Sequence, residues 1–457
     1  MKETGKKMKT RHYLGDAMTA VSVNIIFNIT SLLSYFYTDI IGMSVGVISI
    51  MLLLSKFADA FTDIGMGYLV DRTKSRYGKA RPWLIRMALP SFICIVLLFL
   101  IPANAGVNLK AAYALVTNLL VNSITYTAIS IPAGSLLSLE TSNPHERAKM
   151  GIWRLVFAYA AGMAVSSFMI PATNKLGGAQ NAWVLVSAVF GVISAVSLVI
   201  AFYNIKENND ISFGTKEKAH APLKAVSFLF QNKYWIIVLF VNILIQAIYA
   251  LGTYDVYYAK YIFGDENLVG IMGIISLIFV VIGFMYTGLL VGKLGKRNLV
   301  MVGMVISTVG YVMRAAAPYH LPVNLIGKGL GTLGGIPILA VIGALLADTI
   351  EYGEWKTGSR TVGIASSTNS FGSKLGAGLS IGLAGWLLAF SGYNGNLAAQ
   401  PPMAERMIQI VNIYIPLIGY ILIFILMFFY KLDKDYGRIM AELEERHNTI
   451  LLNEKKD

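Results

Sequence analysis

The run from Lys56 to Asp63, KFADAFTD, spaces Lys56, Asp59 and Asp63 at i, i+3 and i+7, so on a helix all three project from one face. The flanking residues are apolar. An ionisable side chain at membrane depth is costly, normally faces a bundle interior, and marks an ion or proton path. Two carboxylates one turn apart in a low dielectric cannot both stay ionised without a cation, a bound proton or a lysine partner. A structural Lys–Asp pair is the plainer alternative, but one lysine leaves the second aspartate uncompensated. The pattern fits a coupling site for H+ or Na+, with Asp59 and Asp63 as the candidate Na+ ligands.

A second charge stands in NSFGSKLGAGLS, where Lys374 is flanked by Gly372/Gly376 and Gly378/Gly382 at GxxxG spacing. Small residues let helices approach closely, and a lysine on such a face needs a carboxylate or polar partner. The helix 2 aspartates are the candidates, with snorkelling to the interface as the alternative. Polar stripes recur elsewhere: Asn24 and Asn28; Tyr126, Thr127 and Ser130; Asn242, Gln246, Tyr249 and Thr253. Each residue alone could be interhelical glue. Three stripes together favour a polar cavity, in which Arg154, Lys328 or Lys374 would serve an anionic solute. Gly329, Gly331 and Gly334 spell GxGxxG but lie in an apolar helix with no preceding strand, so close helix packing explains them better than a dinucleotide site.

These residues must be positioned by membrane helices. Of 457 residues, 56% are hydrophobic and only 14% charged, and the mean hydropathy is +0.62. Apolar runs long enough to cross the bilayer recur at roughly 13–37, 44–70, 82–102, 110–138, 150–172, 182–204, 232–258, 268–291, 297–316, 323–350, 361–390 and 408–431. The net charge of +13 does not point to nucleic acid, because Lys and Arg sit in short loops between apolar runs. They gather in every second loop, as in Arg72, Lys74, Arg76, Lys79 and Arg81, which places both termini in the cytoplasm of a multi-pass inner-membrane protein. Cys94 is the only cysteine, which leaves no disulfide framework.

A polar stretch after the sixth helix divides the chain into a six-helix bundle at 1–204, a cytoplasmic loop at 205–231, a second six-helix bundle at 232–431 and a tail at 432–457, the arrangement of parallel-repeat transporters. The loops Gly67 to Pro82 and Gly292 to Asn298 are both short, basic and glycine-bearing, which suggests the same tight turn in each half. The tail reads as an amphipathic or solvated helix.

The run from Asp59 to Pro82, DAFTDIGMGYLVDRTKSRYGKARP, resembles the signature of the glycoside–pentoside–hexuronide:cation symporters of the major facilitator superfamily. YFYTDIIG (Tyr35 to Gly42), YTAISIPAGSL (Tyr126 to Leu136) and ADTIEYGEWKTGSR (Ala347 to Arg360) followed by Lys374 agree with it. The resemblance implies an all-α membrane protein with twelve transmembrane helices in two bundles. It implies a sugar imported with H+, Na+ or Li+, and a cation site at Asp59, Asp63, Thr127 and Lys374. Members that read galactosides carry acidic residues in helices 1 and 4 and a helix 4 tryptophan. Here those positions are Val23 or Asn24, Ser130 and Gly134, so the chain looks closer to the glucuronide and xyloside permeases.

The expected substrate contacts are thus Asn24, Asn28, Tyr126, Ser130, Gly134 and Arg154 from the first half. Asn242, Gln246, Ser370 and Lys374 are expected from the second. Asp71, Arg72, Arg76 and Arg81 are expected to form a cytoplasmic latch with Glu140. The expectation is a monomeric transporter in the lipid bilayer, not an enzyme, with no cofactor beyond its coupling cation. The competing expectation is a major-facilitator carrier of a lipid-linked or drug-like solute, whose cavity should be apolar.

Overall fold

The computed structural model describes residues 8–102, 104–141, 144–207, 231–358 and 362–454. Among them every regular element is a helix. The first six are α1 (Thr10–Ile40), α2 (Val45–Arg72), α3 (Arg81–Leu97), α4 (107–140), α5 (Pro144–Lys175) and α6 (Gln180–Asn204). The next six are α7 (Lys233–Ile262), α8 (268–294), α9 (296–316), α10 (Leu321–Thr357), α11 (Val362–Phe390) and α12 (Pro402–Phe429). A terminal α13 (Leu432–Glu454) follows.

Among the described residues, ten helices pass as spans by length and apolarity. One of these, Leu268–Ala316, is two spans broken at Gly295, where φ is 76° and ψ 164°. Arg81–Leu97, at 17 residues, is one more, which brings the described spans to the expected twelve. Several helices run further than hydropathy predicts, because their last turns are polar: α10 reaches Thr357 and α5 begins at Pro144. Large apolar side chains are left uncovered by protein, among them Phe61 at 74% exposed, Leu289 at 72% and Phe390 at 87%. In lipid such faces carry no penalty, and the helix is the form that satisfies its own backbone there.

The chain packs as two compact units. The first comprises Met1–Gly214 with Thr253–Ile274 and Ile381–Ile408. In it α1 lies against α5 and α6, and α3 against α6. The second comprises Thr215–Gly252, Ile275–Ser380 and Gln409–Asp457. There α9 and α10 approach so closely that a Cβ on Gly334 would collide with the Gly303 carbonyl, and one on Gly327 with the Gly310 carbonyl. Helix packing therefore explains the GxGxxG run.

The two glycine-bearing loops close in the same way. Gly78 (φ 104°) precedes α3 and Gly295 (φ 76°) precedes α9, a backbone region that suits glycine. After the first, Glu207 accepts from the backbone N–H groups of Lys79 (2.7 Å), Ala80 (2.9 Å) and Arg81 (2.6 Å), while Arg81 Nε donates to the Phe202 carbonyl at 2.6 Å. After the second, Asp433 accepts from the Arg297 backbone N–H at 2.9 Å, and Arg297 Nε donates to the Met427 carbonyl at 2.9 Å. A helix N-terminus exposes N–H donors and a positive dipole end, and in each half a carboxylate just beyond α6 or α12 answers both.

Most of the expected central loop, 208–230, lies outside the described residues. The tail is helical as expected, and α13 packs on the end of α10: Trp355 Nε1 donates to Glu442 at 2.6 Å, and Tyr436 donates to Glu351.

Candidate functional site

Asp59 and Asp63 lie on α2 facing α4 within the first unit. Asp59 is 7% exposed and accepts from Ser123 Oγ at 2.6 Å and Lys56 Nζ at 3.3 Å. Asp63 is half-buried and accepts from Thr127 Oγ1 at 3.0 Å. One turn earlier, Ser55 Oγ donates to Asn118 Oδ1 at 2.6 Å, and Asn122 Nδ2 donates to the same oxygen at 3.1 Å.

The register of this ladder shifts along its length. Ser55 pairs with a residue 63 positions later, whereas Asp59 and Asp63 pair with residues 64 later. The extra residue is a π-helical turn at Leu120–Tyr126, where Thr127 Oγ1 reaches the Asn122 carbonyl at 3.4 Å. Single π-turns inside α-helices are frequent at functional sites. Here the turn brings Ser123 and Thr127, four apart, opposite two aspartates that are also four apart.

Asp59, Asp63 and Thr127 are thus brought together as expected, and Ser123 is an addition. Its signal in the sequence was a hydroxyl four residues before Thr127, hidden because an ideal α-helix does not carry it into line with Asn118. Two carboxylates with hydroxyl neighbours form a hard-oxygen set, the donor type that suits protons and alkali cations more than soft metals. Among the described residues no group of three or more His, Cys, Asp or Glu side chains could hold a metal ion. Lys374 is half-buried on α11 in the second unit.

The expected substrate contacts divide. Asn24 Nδ2 donates to the Ala20 carbonyl and Asn28 Nδ2 to the Asn24 carbonyl, both at 2.9 Å, and Ser166 on α5 donates to Asn28 Oδ1 at 3.3 Å. Asn242 Nδ2 bridges α7 to α11 through the Asn369 carbonyl (2.9 Å) and Ser373 Oγ (2.6 Å). Asn28 and Asn242 therefore serve helix association here. Tyr126, Ser130 and Gln246 are half-buried, and Gly134 and Ser370 are exposed. Arg154 is held by Asp16, its Nε donating to Oδ2 at 2.6 Å and its Nη2 to Oδ1, with a further bond from Nη2 to the Ala133 carbonyl at 2.7 Å.

The latch residues do not converge on Glu140. Arg81 is taken by the Phe202 carbonyl, Arg76 donates to Tyr77 at 2.6 Å, and Arg72 lies 4.4 Å over the Tyr68 ring. The Asp71 side chain lies outside those described. Both Glu140 oxygens are buried, receive no hydrogen bond from a donor group among the described residues, and face the Asp16 carboxyl. The physical reason is proximity: Glu140 sits beside Asp16 of α1 and Arg154 of α5, and the loop arginines find aromatic rings and carbonyls closer at hand.

A polar hub that the sequence did not announce surrounds Asp39 at the end of α1. Its buried carboxylate accepts from Lys260 (2.6 Å), Tyr261 (2.5 Å), Tyr393 (2.6 Å) and Thr38 (2.6 Å). Four donors on one carboxylate make a dense charge-assisted cluster, and all of them belong to the first unit.

Comparison with known proteins agrees with this architecture. An isoprimeverose transporter of Lactiplantibacillus pentosus is 32% identical, over 94% of this chain and 90% of its own length. A glucuronide carrier protein homolog of Escherichia coli (strain K12) is 28% identical, over 96% and 97%. The fold is similar to that of a bacterial homolog of the human lysosomal transporter Spinster, with a TM-score of 0.67 and 14% identity, covering 96% of this chain and 99% of that one. The family model for MFS/sugar transport proteins matches residues 15–434. With α2 and α4 carrying an acidic ladder inside a twelve-helix membrane fold, the chain belongs to the MFS/sugar transport proteins, a family of multi-pass membrane transporters and not of enzymes.

Proposed function

We propose that the protein imports a sugar or glycoside together with a cation, H+ or Na+, by alternating access, with the cation held at Asp59 and Asp63. What supports this most directly is the matched ladder Ser123 to Asp59 and Thr127 to Asp63, which concentrates negative charge and hydroxyl oxygens inside an apolar bundle. Charge buried there needs a positive partner. Cation binding then raises sugar affinity, and by linkage the sugar raises cation affinity equally. One positive charge moving through 100 mV supplies roughly 2.3 kcal/mol. At about 1.4 kcal/mol per decade, that sustains accumulation on the order of fiftyfold.

The names of the relatives support a glycoside or a uronide. Arg154, the first-half cation that a uronide could use, is already engaged by Asp16, which favours a neutral glycoside. The paired closures at Glu207 and Asp433 support two six-helix repeats, at 1–204 and 232–431. The alternating Lys and Arg content of the loops supports placement in the cell membrane with both termini cytoplasmic.

The test is uptake of labelled neutral glycosides and uronides into vesicles with imposed H+ or Na+ gradients. Gradient-driven accumulation of a neutral glycoside, lost in Asp59→Asn/Asp63→Asn at unchanged membrane insertion, is expected. Full accumulation in that double variant would refute the site, and uptake indifferent to every gradient would refute symport.

A further inference from the structure

Glu140 ends α4 at 8% exposure, and among the described residues neither of its carboxyl oxygens receives a hydrogen bond from a donor group; what it meets at hydrogen-bond range is the Asp16 carboxyl. The charges that face it come from three elements: Asp16 on α1, Arg154 on α5 and Glu207 beyond α6. Asp16 is fully buried and takes two donors from the Arg154 guanidinium. The remaining Nη2 bond of Arg154 goes back to α4, to the Ala133 carbonyl. Glu207 is committed to the N-terminus of α3. One guanidinium therefore stands among the carboxylates of α1 and α4 and is spent on Asp16.

An ionised Glu140 in this position would be a buried anion with no donor beside a second anion, which is among the costliest arrangements a protein interior can hold. A protonated carboxyl removes both problems. The geometry points to Glu140 as a proton-binding site in its own right, separate from Asp59 and Asp63, with the Asp16–Arg154 pair as the element its charge acts on.

When Glu140 is neutral, Arg154 stays with Asp16 and ties α1, α4 and α5 together. When Glu140 loses its proton, two carboxylates compete for one guanidinium, and the tie loosens. Burial first, and the Asp16 charge second, push the Glu140 carboxyl up to about 9, so the proton is held at neutral pH and released on alkalisation. The Asp16 and Glu140 carboxyls, both buried, titrate as a coupled pair. The site does not depend on the identity of the coupling ion at Asp59 and Asp63. A carrier driven by Na+ would possess it as much as one driven by H+.

The test is an infrared pH titration of the purified full-length protein, following the C=O stretch of protonated carboxyl groups from pH 6 to 10. A carboxyl band that disappears with a midpoint near pH 9 is expected in the wild type and in Asp59→Asn/Asp63→Asn, and is expected to be absent from Glu140→Gln. Persistence of that band in Glu140→Gln would overturn the assignment, as would its loss in the Asp59/Asp63 double variant alone. Asp16→Asn gives an independent check should Glu140→Gln fail to fold. It removes the neighbouring anion and frees Arg154, so the midpoint should fall by about one pH unit or more, and an unmoved midpoint would overturn the proposal. No transport measurement enters, so failure here is distinct from failure of the symport reading.

Discussion

Glu207 accepts the backbone N–H of Arg81 at 2.6 Å, while the Arg81 guanidinium reaches back to the Phe202 carbonyl, five residues before that same Glu207. The exchange is reciprocal: the loop before α3 and the segment after α6 each satisfy orphan groups of the other. Asp433 and Arg297 repeat it for α9 and α12. Two distant segments of one chain have the same solution to the same helix-end problem.

Removing either carboxylate leaves helix N–H donors without their acceptor. Glu207→Ala and Asp433→Ala should each cost about 1–2 kcal/mol, in the range of a lost N-cap or a hydrogen bond to a charged group. Because the two closures share no partner, their effects should add in the double variant. Thermal unfolding in detergent reads this, and a marked excess over the sum would mean that the closures are coupled.

Ser123→Ala should weaken apparent cation affinity by roughly tenfold, since a hydrogen bond to a carboxylate is worth about 1.5–3 kcal/mol and part of that returns through solvent. Thr127→Val should act in the same direction through Asp63. Sugar transport at saturating cation should be far less affected in both. Cation-activation curves for uptake separate the two parameters, and a pure loss of maximal rate with unchanged half-activation would count against a role at the cation.

Much of this was legible in the sequence. Long apolar runs gave the spans, because span length follows directly from the bilayer. Asp59, Asp63 and Thr127 could be read because ionisable and hydroxyl groups stand out against apolar neighbours. Ser123 could not, since it reaches Asp59 only through a π-turn, and no local residue pattern specifies one extra residue in a helical turn. Glu140 and Arg154 were visible as charges, but their partner Asp16 lies more than a hundred residues away, and the choice between it and the loop arginines is made by packing. The Asp39 hub was hidden for the same reason: Lys260 and Tyr393 are remote in sequence and meet it only in the folded unit.

At that hub the donors should not be equal. Tyr393→Phe removes one of four donors and should cost about 1–2 kcal/mol. Asp39→Ala strands the Lys260 ammonium among aromatic rings and should cost about 3–5 kcal/mol, the range for breaking a buried pair from one side. Burial, then the neighbouring Tyr257 hydroxyl and the Asp39 carboxylate, hold the Tyr393 hydroxyl well above the usual phenol range, so it stays a donor through neutral and mildly alkaline pH. Unfolding temperatures of the two variants should keep this order, and a Tyr393→Phe loss equal to that of Asp39→Ala would place the energy in the tyrosine.

The raised carboxyl of Glu140 makes stability itself depend on pH. Burial and the neighbouring Asp16 carboxyl push the Glu140 carboxyl up to about 9 in the folded protein, whereas in the unfolded chain a glutamate releases its proton near ~4.3. Between those limits the native state binds the extra proton, so unfolding becomes easier as pH rises through the window, and the dependence flattens above it. The sign is opposite to that of a carboxylate stabilised by a salt bridge, which gains stability over the acid range. Unfolding temperature measured from pH 6 to 9 should therefore decline less steeply in Glu140→Gln than in the wild type. A variant slope equal to the wild-type slope would assign the alkaline loss to other groups.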